Sequence, residues 1–540
     1  MNRRNFVNST LASALVLPET MLQEKKAAAQ SREVEASHLA PFELDETTID
    51  ALSSAMQRGA YSARRLVELY LERIEQTNRQ GPDLRAVIET DPDALAAAEA
   101  LDRERKEKGA RGPLHGIPIL IKDNIDVAGR THTSAGSLAL ADWTPSEDAF
   151  QIQRLRAAGA VILGKANLSE WAFWRASRGV SGWSARGGQA RNPYALDRTP
   201  SGSSGGSGVG ASGNLCAAAV GSDTGGSIIY PASANGIVGI RPTLGLISRS
   251  GVIPVSETHD TTGPMARTVR DAAILLGALT GVDPNDKASQ ASAGKAYTDY
   301  TRFLQPGSLR GARLVVAREY FGVHEGTDRV LEASLDLLRK EGAILLDQTD
   351  RLGSHAYAAD MLEVFSYDFK PNLNAYLSRL PEKFPVRSLA DLIAFNKEHR
   401  EQEMPYFGQD LLEQSQEKGP RTEKRYRDAR ARSLRLARTE GIDYVLAKHQ
   451  AQAIVAPTLT PAALIDWVTG DGFSSACTIP ACVAGYPHVT VPAGFFRGLP
   501  IGISFFGTAW SEPVLLKLAY SFEQVSKARR KPAFAPTVSF

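Results

Sequence analysis

The chain has 540 residues, of which 43% are hydrophobic and 23% charged, and its formal net charge is +2. These values are typical of a large globular protein and exclude a disordered chain. The near-zero net charge gives no electrostatic reason to expect nucleic acid or an anionic membrane as a partner. We therefore expect no nucleic acid, and a small-molecule or peptide substrate.

Cysteine usage and hydropathy narrow the class further. Cys216, Cys477 and Cys482 form no CxxC pair, so we predict buried thiols and neither a disulfide framework nor a zinc site. Apart from a short N-terminal stretch, no segment approaches the roughly 18 consecutive apolar residues of a membrane span. We expect no stable membrane insertion.

The first 30 residues resemble an export signal. Arg3 and Arg4 precede Phe6, as in a twin-arginine leader, and a short apolar stretch follows at 11–18. The alanines at 27–29 offer a small-residue cleavage site. We predict export to the periplasm or the medium of a bacterium, the alternative being a disordered tail on a cytoplasmic protein.

Helical and strand-like patterns alternate along the first part of the chain. Helical patterns cover 45–76 and 92–108, and an apolar strand follows at 117–121. A helix at 149–158 and a strand at 160–163 continue the alternation. The pattern predicts an α/β fold with a mixed β-sheet core covered by helices on both faces.

A glycine- and serine-rich stretch interrupts this alternation. Residues 201–213 lack a strand pattern and are predicted to be a loop, followed by a small-residue helix at 214–220 and a second glycine turn at 224–227. Beyond it the chain returns to a helical pattern at 269–280. The chemistry of the protein is expected in the two glycine turns.

The second half of the chain has a different composition. Long charged helices, such as those at 328–341 and 423–440, indicate that 283–440 is a helical peripheral insertion. Apolar strands return near the C-terminus, at 453–457, 489–492 and 501–506. We expect them to complete the first sheet, so that 31–540 forms a single large domain.

Two serines and a lysine carry the candidate chemistry. Ser227 ends the glycine turn that begins at Asp223, and Ser203 lies in an earlier glycine-serine cluster. Glycines let successive N–H groups turn inward, where they stabilise the oxyanion of an acyl-transfer intermediate. A serine hydroxyl needs a base, and a lysine serves when burial lowers its pKa. Lys122, at the end of an apolar strand, is the candidate base.

These residues lie in motifs that resemble the amidase signature family. The segments 116–124, 202–207 and 223–227 occur in the family's order, and 164–171, 235–243 and 498–502 are also similar. The resemblance extends from about residue 45 to about residue 525. It implies the amidase signature fold.

The resemblance also implies a mechanism and a set of site residues. In the family a Ser–cisSer–Lys triad forms an acyl-enzyme without a metal or an organic cofactor. Carried over residue by residue, Ser227 is the nucleophile, Ser203 the proton relay and Lys122 the base. The oxyanion hole falls on the amides of Thr224, Gly225, Gly226 and Ser227. The loop of Ser134, Ala135 and Gly136 is implied to lie near the substrate, and Asp223 to support the nucleophile loop.

One departure from the family bears on the substrate. Many members have an arginine two positions after the nucleophile, where this chain has Ile229. Because isoleucine cannot pair with a carboxylate, we predict a neutral carboxamide as substrate. The segments 134–140, 181–189, 391–396 and 507–513 resemble those of bacterial peptide amidases, which release ammonia from C-terminal peptide amides. The resemblance leaves a monomer or a homodimer open.

Several alternatives remain open at this point. An aryl acylamidase or esterase of the same family would use the same acyl-enzyme, and an amidotransferase-type subunit is a further alternative. Residues 202–206 match G-x-S-x-G, with Ser204 as nucleophile, and 208–213 match G-x-G-x-x-G, but neither match follows a strand pattern. Glu170, Arg186 and three tryptophans are candidates for either substrate contacts or structural packing: Trp171, Trp174 and Trp183.

Overall fold

The computed structural model describes residues 41–348, 352–382, 384–472 and 477–539. The predicted export signal lies outside these residues. From Pro41 onward the chain forms one compact unit. In the ranges described, none of the helices combines the length and the apolar character needed to cross a membrane.

The strands of the described residues form one large sheet and one short hairpin. The sheet has 11 strands in the order β1-β3-β2-β6-β8-β7-β12-β13-β11-β9-β10, and β4 pairs with β5. Their bounds are β1 Val87–Thr90, β2 Pro118–Lys122, β3 Val161–Ala166, β4 Trp183–Ser184, β5 Gly188–Gln189, β6 Ala218–Asp223, β7 Val238–Arg241, β8 Thr261–Ala266, β9 Arg313–Ala317, β10 Ile344–Gln348, β11 Ala453–Pro457, β12 His488–Phe496 and β13 Leu499–Phe506.

The sheet is mixed. Strand β2 is parallel to both β3 and β6, and β9 is parallel to both β10 and β11. The strands between these two groups are antiparallel, among them β6 with β8 and β12 with β13. The predicted α/β class with a mixed sheet is confirmed.

Helices surround the sheet and join its strands. In the described residues the α-helices are α1 Ile49–Gln57, α2 Ala63–Asn78, α3 Ala94–Lys108, α4 Phe150–Ala157, α5 Gly205–Ser212, α6 Ile229–Ala234, α7 Val269–Leu279, α8 Glu325–Lys340, α9 Ser354–Leu377, α10 Leu389–Glu398, α11 Arg400–Glu403, α12 Asp410–Glu417, α13 Lys424–Ala437, α14 Asp443–His449, α15 Thr478–Ala484 and α16 Glu512–Ser526.

Local sequence explains where several of these helices begin and which face they bury. The hydroxyl oxygens of Thr48, Ser62 and Thr268 accept hydrogen bonds from backbone N–H groups in the first turns of α1, α2 and α7. Helix α2 buries a stripe at helical spacing: Leu66, Val67, Leu69, Tyr70, Arg73, Ile74, Thr77 and Asn78. Capping residues and a buried face at helical spacing are local patterns, so helices of this kind can be predicted from the sequence.

The glycine-rich region differs from the prediction. Residues 205–212 form helix α5, whereas the helix expected at 214–220 is wrong, because 218–223 is the central strand β6. Glycine lowers helix propensity, but tertiary packing overrides it here. A Cβ on Gly206 would lie 2.5 Å from Asn167 N, and a Cβ on Gly210 would lie 2.8 Å from Leu120 Cδ1. Only small residues allow α5 to approach the sheet this closely.

The predicted helical insertion at 283–440 also needs correction. It contains β9 and β10, which lie at one edge of the main sheet, and β9 pairs in parallel with β11. The amphipathic pattern of α8 is the strongest pattern in this part of the sequence, and it masks the short apolar strands β9 and β10 on either side of it. The helical part that covers the site is therefore shorter and begins with α9.

Candidate active site

Strand pairing places Lys122 beside Ser222. Parallel strands β2 and β6 are neighbours, with Ile121 opposite Val220, so their carboxyl ends meet at the same edge of the sheet. Lys122 Nζ lies 2.9 Å from Ser222 Oγ and 3.3 Å from the carbonyl oxygen of Ser222. The lysine is thereby held by the residue that immediately precedes the Asp223 turn.

The same amine contacts Ser203. Lys122 Nζ is 2.7 Å from Ser203 Oγ, and neither side chain is open to solvent beyond 1%. Burial lowers the pKa of Lys122 to about 7, against the opposing effect of the carboxylates of Asp223 and Asp260. A substantial fraction of this lysine is therefore neutral near neutral pH, as a proton acceptor must be.

The loop that carries Ser203 is tightly packed. The peptide bond between Gly202 and Ser203 is cis. Ser169 N donates to Ser203 O at 2.9 Å, and a Cβ on Gly202 would lie 3.0 Å from Ser181 Oγ. Ser204 N donates to Ser227 O at 3.1 Å. This last bond joins the two glycine-serine clusters that the sequence places apart.

Asp223 organises the nucleophile loop. Its two carboxylate oxygens accept hydrogen bonds from Gly226 N at 2.8 Å and from Ile228 N at 2.7 Å. The side chain of Arg241 donates to the same carboxylate. Ser227 sits between these two amides and is partly exposed. Among the described residues, Ser227 Oγ has no hydrogen-bond partner, so the hydroxyl is accessible to a substrate.

The candidate oxyanion donors differ in part from the expectation. The N–H of Gly226 is directed to Asp223 and is not available to an oxyanion in this arrangement. Within the described part of the chain, no partner occupies the N–H groups of Gly225 and Ser227. Thr224 anchors the start of the turn, since its hydroxyl donates to Asp260 at 2.6 Å.

The loop of Ser134, Ala135 and Gly136 folds back onto the residue after Lys122. The N–H groups of Ser134 and Gly136 each donate to Asp123 Oδ2 at 3.2 Å, and Ala135 N donates to Asp123 O at 3.0 Å. All three residues are buried. The structure thus places the loop against the lysine-bearing strand end, and its role in binding substrate stays a prediction.

Sequence reasoning missed several residues around the lysine. Ser222, Asn124 and Asp260 are buried in contact with the residues above, and Arg241 holds Asp223. Ser222 was visible as the residue before the Asp223 turn. The others lie in separate strands or loops, and no local pattern marks them.

Two alternative motifs are not supported by the geometry. Ser204 is fully buried, donates its hydroxyl to Ser222 O at 3.0 Å and follows a segment without a strand. This geometry is unsuited to a nucleophile elbow. Residues 208–213 lie mostly within α5 and do not form a loop after a strand. A dinucleotide-binding turn is therefore absent from this described segment.

Aromatic side chains from the helical part lie next to the nucleophile loop. A Cβ on Gly225 would lie 3.5 Å from the ring of Phe365, which packs edge-on against Trp174 with ring centroids 5.4 Å apart. Trp183 stacks against the buried guanidinium of Arg175, which pairs with Glu170 at 2.6 Å. Ile229 is completely buried at the start of α6 and contributes no charge to the site.

The remaining titratable residues do not form a metal site. In residues 41–348, 352–382, 384–472 and 477–539, no group of three or more His, Cys, Asp or Glu side chains is placed to hold a metal ion. Cys216, Cys477 and Cys482 are free and buried.

A buried lysine in contact with one serine, and a glycine turn that ends in a second, accessible serine, are features expected of an acyl-transfer enzyme with a serine nucleophile. A family model described as Amidase matches residues 65–516. A probable amidase of Arabidopsis thaliana is 39% identical over 541 residues, which is 98% of this chain and 99% of the relative. The chain belongs to the amidase signature family and is an amide-hydrolysing amidase.

Two further comparisons bear on the kind of amidase. The X-ray structure of a native peptide amidase from Stenotrophomonas maltophilia is 46% identical, with a TM-score of 0.87, and covers 92% of this chain and 100% of its own. A glutamyl-tRNA(Gln) amidotransferase subunit from Alkalilimnicola ehrlichii is 34% identical over 503 residues, 90% of this chain and 99% of the relative. The similarity to the peptide amidase structure is the higher of the two.

Proposed function

We propose that the protein hydrolyses C-terminal peptide amides to the free carboxylate and ammonia through an acyl-enzyme on Ser227. The observation that carries the mechanism is the 2.7 Å contact between buried Lys122 and Ser203. The observation that supports the substrate is the 46% identity to a peptide amidase over nearly the whole chain.

The proposed first half of the reaction moves one proton from Ser227 through Ser203 to Lys122. Neutral Lys122 takes the proton of Ser203, Ser203 takes the proton of Ser227, and Ser227 Oγ attacks the carboxamide carbon. The N–H groups of Gly225 and Ser227 stabilise the negative oxygen of the tetrahedral intermediate. Lys122 returns the proton through Ser203 to the departing nitrogen, which leaves as ammonia. Water then attacks the acyl-enzyme by the reverse proton path.

The proposed preference for neutral amides rests on the charges near Ser227. Ile229 is buried and uncharged, and the guanidinium of Arg241 is fully buried against Asp223. Neither side chain offers a cation to a carboxylate next to the scissile amide. A substrate whose carboxyl end is itself the amide carries no such carboxylate, and therefore fits these surroundings.

A panel of substrates tests the proposal. We expect a dipeptide amide to release ammonia at least tenfold faster, by kcat/KM, than the matching aryl ester or anilide, and Ser227→Ala to abolish the activity. Ser334→Ala is the matched control at a buried serine of α8, whose hydroxyl donates to Val330 O of the same helix and takes no part in the mechanism. A higher kcat/KM for the aryl substrates would instead support the acylamidase or esterase alternative. A requirement for a second polypeptide would support the amidotransferase-type alternative.

We further propose that the protein acts outside the cytoplasm as a monomer or a homodimer. The export-like pattern at 1–30 supports the location. Fractionation of cells that express the full chain, followed by sequencing of the mature N-terminus and light scattering of the purified protein, tests both. Full-length protein that stays in the cytoplasm would contradict export.

A further inference from the structure

A small cavity lies beside the lysine. Its polar lining consists of Ser222 and Asn124 together with Thr224, Thr261 and the carboxylate of Asp260, and Val255 lies in its apolar wall. The volume of the cavity is about 10 Å³. One water molecule requires about this much space.

Whether Ser222 Oγ donates to Lys122 or accepts from it determines which oxygen the lone pair of Lys122 faces. A neutral lysine has two N–H donors and one lone pair, and three oxygens surround its nitrogen: Ser203 Oγ, Ser222 Oγ and Ser222 O. The carbonyl oxygen only accepts, so it takes one N–H. Of the two hydroxyls, one then accepts the other N–H and the other donates its proton to the lone pair.

Only one of the two possible hydrogen-bond arrangements allows Lys122 to act as the base. If Ser222 donates its hydroxyl proton to Lys122, the lone pair is occupied and Lys122 can only donate to Ser203. If Ser222 accepts from Lys122, the lone pair faces the Ser203 hydroxyl and can take its proton. In that second arrangement the hydroxyl proton of Ser222 needs a different acceptor.

Asn124 has an amide oxygen that also needs a hydrogen-bond partner. Its Nδ2 donates to Ser222 Oγ at 3.0 Å and to Ile253 O at 3.4 Å, and the carbonyl contact fixes the nitrogen on this side. Asn124 is 2% exposed, and its Oδ1 has no hydrogen-bond partner among the described residues. A buried acceptor of this kind needs a donor. Ser222 and Asn124 both line the cavity, so a group bound there is in reach of one hydroxyl that must donate and of a residue whose amide oxygen must accept.

We propose that the cavity binds one water molecule that accepts the proton of Ser222 and donates to Asn124 Oδ1 and to Asp260. A water molecule has this combination of donors and acceptors, and the site gives it three polar partners. Bound there, it keeps Ser222 an acceptor towards Lys122 and leaves the lysine lone pair facing Ser203. The inference rests on the proposed role of Lys122 as base.

A double-mutant cycle tests the coupling. In Asn124→Leu the water loses one acceptor and Ser222 turns its proton to Lys122, so we expect kcat to fall at least tenfold with KM within about twofold. In a Ser222→Ala background no hydroxyl competes for the lone pair, and Asn124→Leu should then lower kcat less than twofold further. Equal losses in both backgrounds, or no loss in either, would overturn the proposal.

A cavity-filling variant leaves the polar residues in place. Val255→Leu extends a side chain into the cavity and should displace the water, with a fall in kcat of at least tenfold. Val445→Leu adds the same methylene to a buried valine of α14 that does not line the cavity, and controls for overpacking. The same kcat in Val255→Leu as in the parent, with the leucine seen in the cavity, would contradict the proposal.

Two direct readouts separate this inference from the proposed substrate. A crystal structure that resolves ordered waters should show one within hydrogen-bond distance of Ser222 Oγ and Asn124 Oδ1, and a cavity without it overturns the proposal. The rate at which a fluorophosphonate labels Ser227 should fall in Asn124→Leu and Val255→Leu as kcat does. A parent protein that is labelled but hydrolyses no peptide amide would refute the substrate and leave the water site standing.

Discussion

Arg241 donates two hydrogen bonds to Asp223, at 2.5 Å to carboxylate Oδ1 and at 3.0 Å to the backbone carbonyl oxygen. Both side chains are shielded completely from solvent. The second guanidinium nitrogen donates to His259 O at 2.6 Å. The end of β7 thereby holds the turn that carries Ser227, and it does so through a pair that is costly to break because neither charge has access to water.

Replacing one partner of this pair should unfold the turn. We expect Arg241→Met to lower the free energy of unfolding by about 3–5 kcal/mol, because it leaves the carboxylate of Asp223 buried without a cation. Urea denaturation followed by circular dichroism measures this. The double variant Arg241→Met, Asp223→Asn removes the unpaired charge and should recover part of the loss. A double variant less stable than the single one would contradict the account.

The two glycines before Ser227 should respond differently to alanine. Gly226 has a φ of +117°, and a Cβ there would lie 2.5 Å from the ring of Tyr230. We expect Gly226→Ala to lose more than tenfold in kcat and about 2 kcal/mol or more in stability, through backbone strain and overpacking. Steady-state kinetics of the purified variant measure the loss in kcat, and urea denaturation measures the loss in the free energy of unfolding.

Gly225→Ala is the matched control, because its Cβ would only touch Phe365 at 3.5 Å and its φ is not positive. We expect its free energy of unfolding to stay within about 1 kcal/mol of the parent. Equal destabilisation by the two substitutions would show that the positive φ of Gly226 and its close contact with Tyr230 are not the reason for glycine at this position.

Asp368 of helix α9 should anchor the helical part over the site. It is fully buried and accepts hydrogen bonds from Ser256 Oγ at 2.7 Å, Thr258 Oγ1 at 2.8 Å and Tyr426 OH at 2.9 Å. Asp368→Ala removes all three, and we expect a loss of about 3 kcal/mol with faster proteolysis of α9 and α13. Tyr426→Phe removes one bond and should cost about 1 kcal/mol. A protease pattern identical to the parent's in Asp368→Ala would refute this anchoring role.

The sequence predicts the parts of the site that depend on local pattern. The apolar run of β2 marks Lys122 as a strand-end lysine, and the glycine turn marks Ser227 as a candidate nucleophile. The contact between Lys122 and Ser203 has no local signature, because it depends on β2 and β6 being neighbours in the sheet and on the packing of α5. The resemblance to the amidase signature family predicts that Lys122 and Ser203 lie together, which their separation in the sequence does not.

The incorrect predictions have the same physical origin. Helix α5 is rich in glycine and looks like a loop, yet it forms because only small residues fit where it packs against β2 and the segment after β3. Strand β6 begins with Ala218 and Ala219, which favour helix locally, and it forms because it is buried between β2 and β8. In both places a long-range contact decides the structure, and a single sequence does not display such contacts.

The pH dependence of the reaction should report on Lys122. Because burial lowers the pKa of this lysine to about 7, it is protonated and inactive as a base at lower pH. We expect kcat/KM to rise about tenfold per pH unit up to about pH 7 and then to level off. A profile flat from pH 5 to pH 8 would contradict the assignment.

Stability gives an independent measurement of the same group. The unfolded lysine has a pKa of 10.5, so between about pH 7 and pH 10.5 the unfolded chain binds a proton that the folded chain does not. The free energy of unfolding contributed by this group therefore rises with pH across that window. Lys122→Met should be inactive and should lack this rise relative to the parent in urea titrations at several pH values. If parent and variant differ by the same amount at every pH, the pKa of Lys122 is not lowered by folding, and another group must be the base.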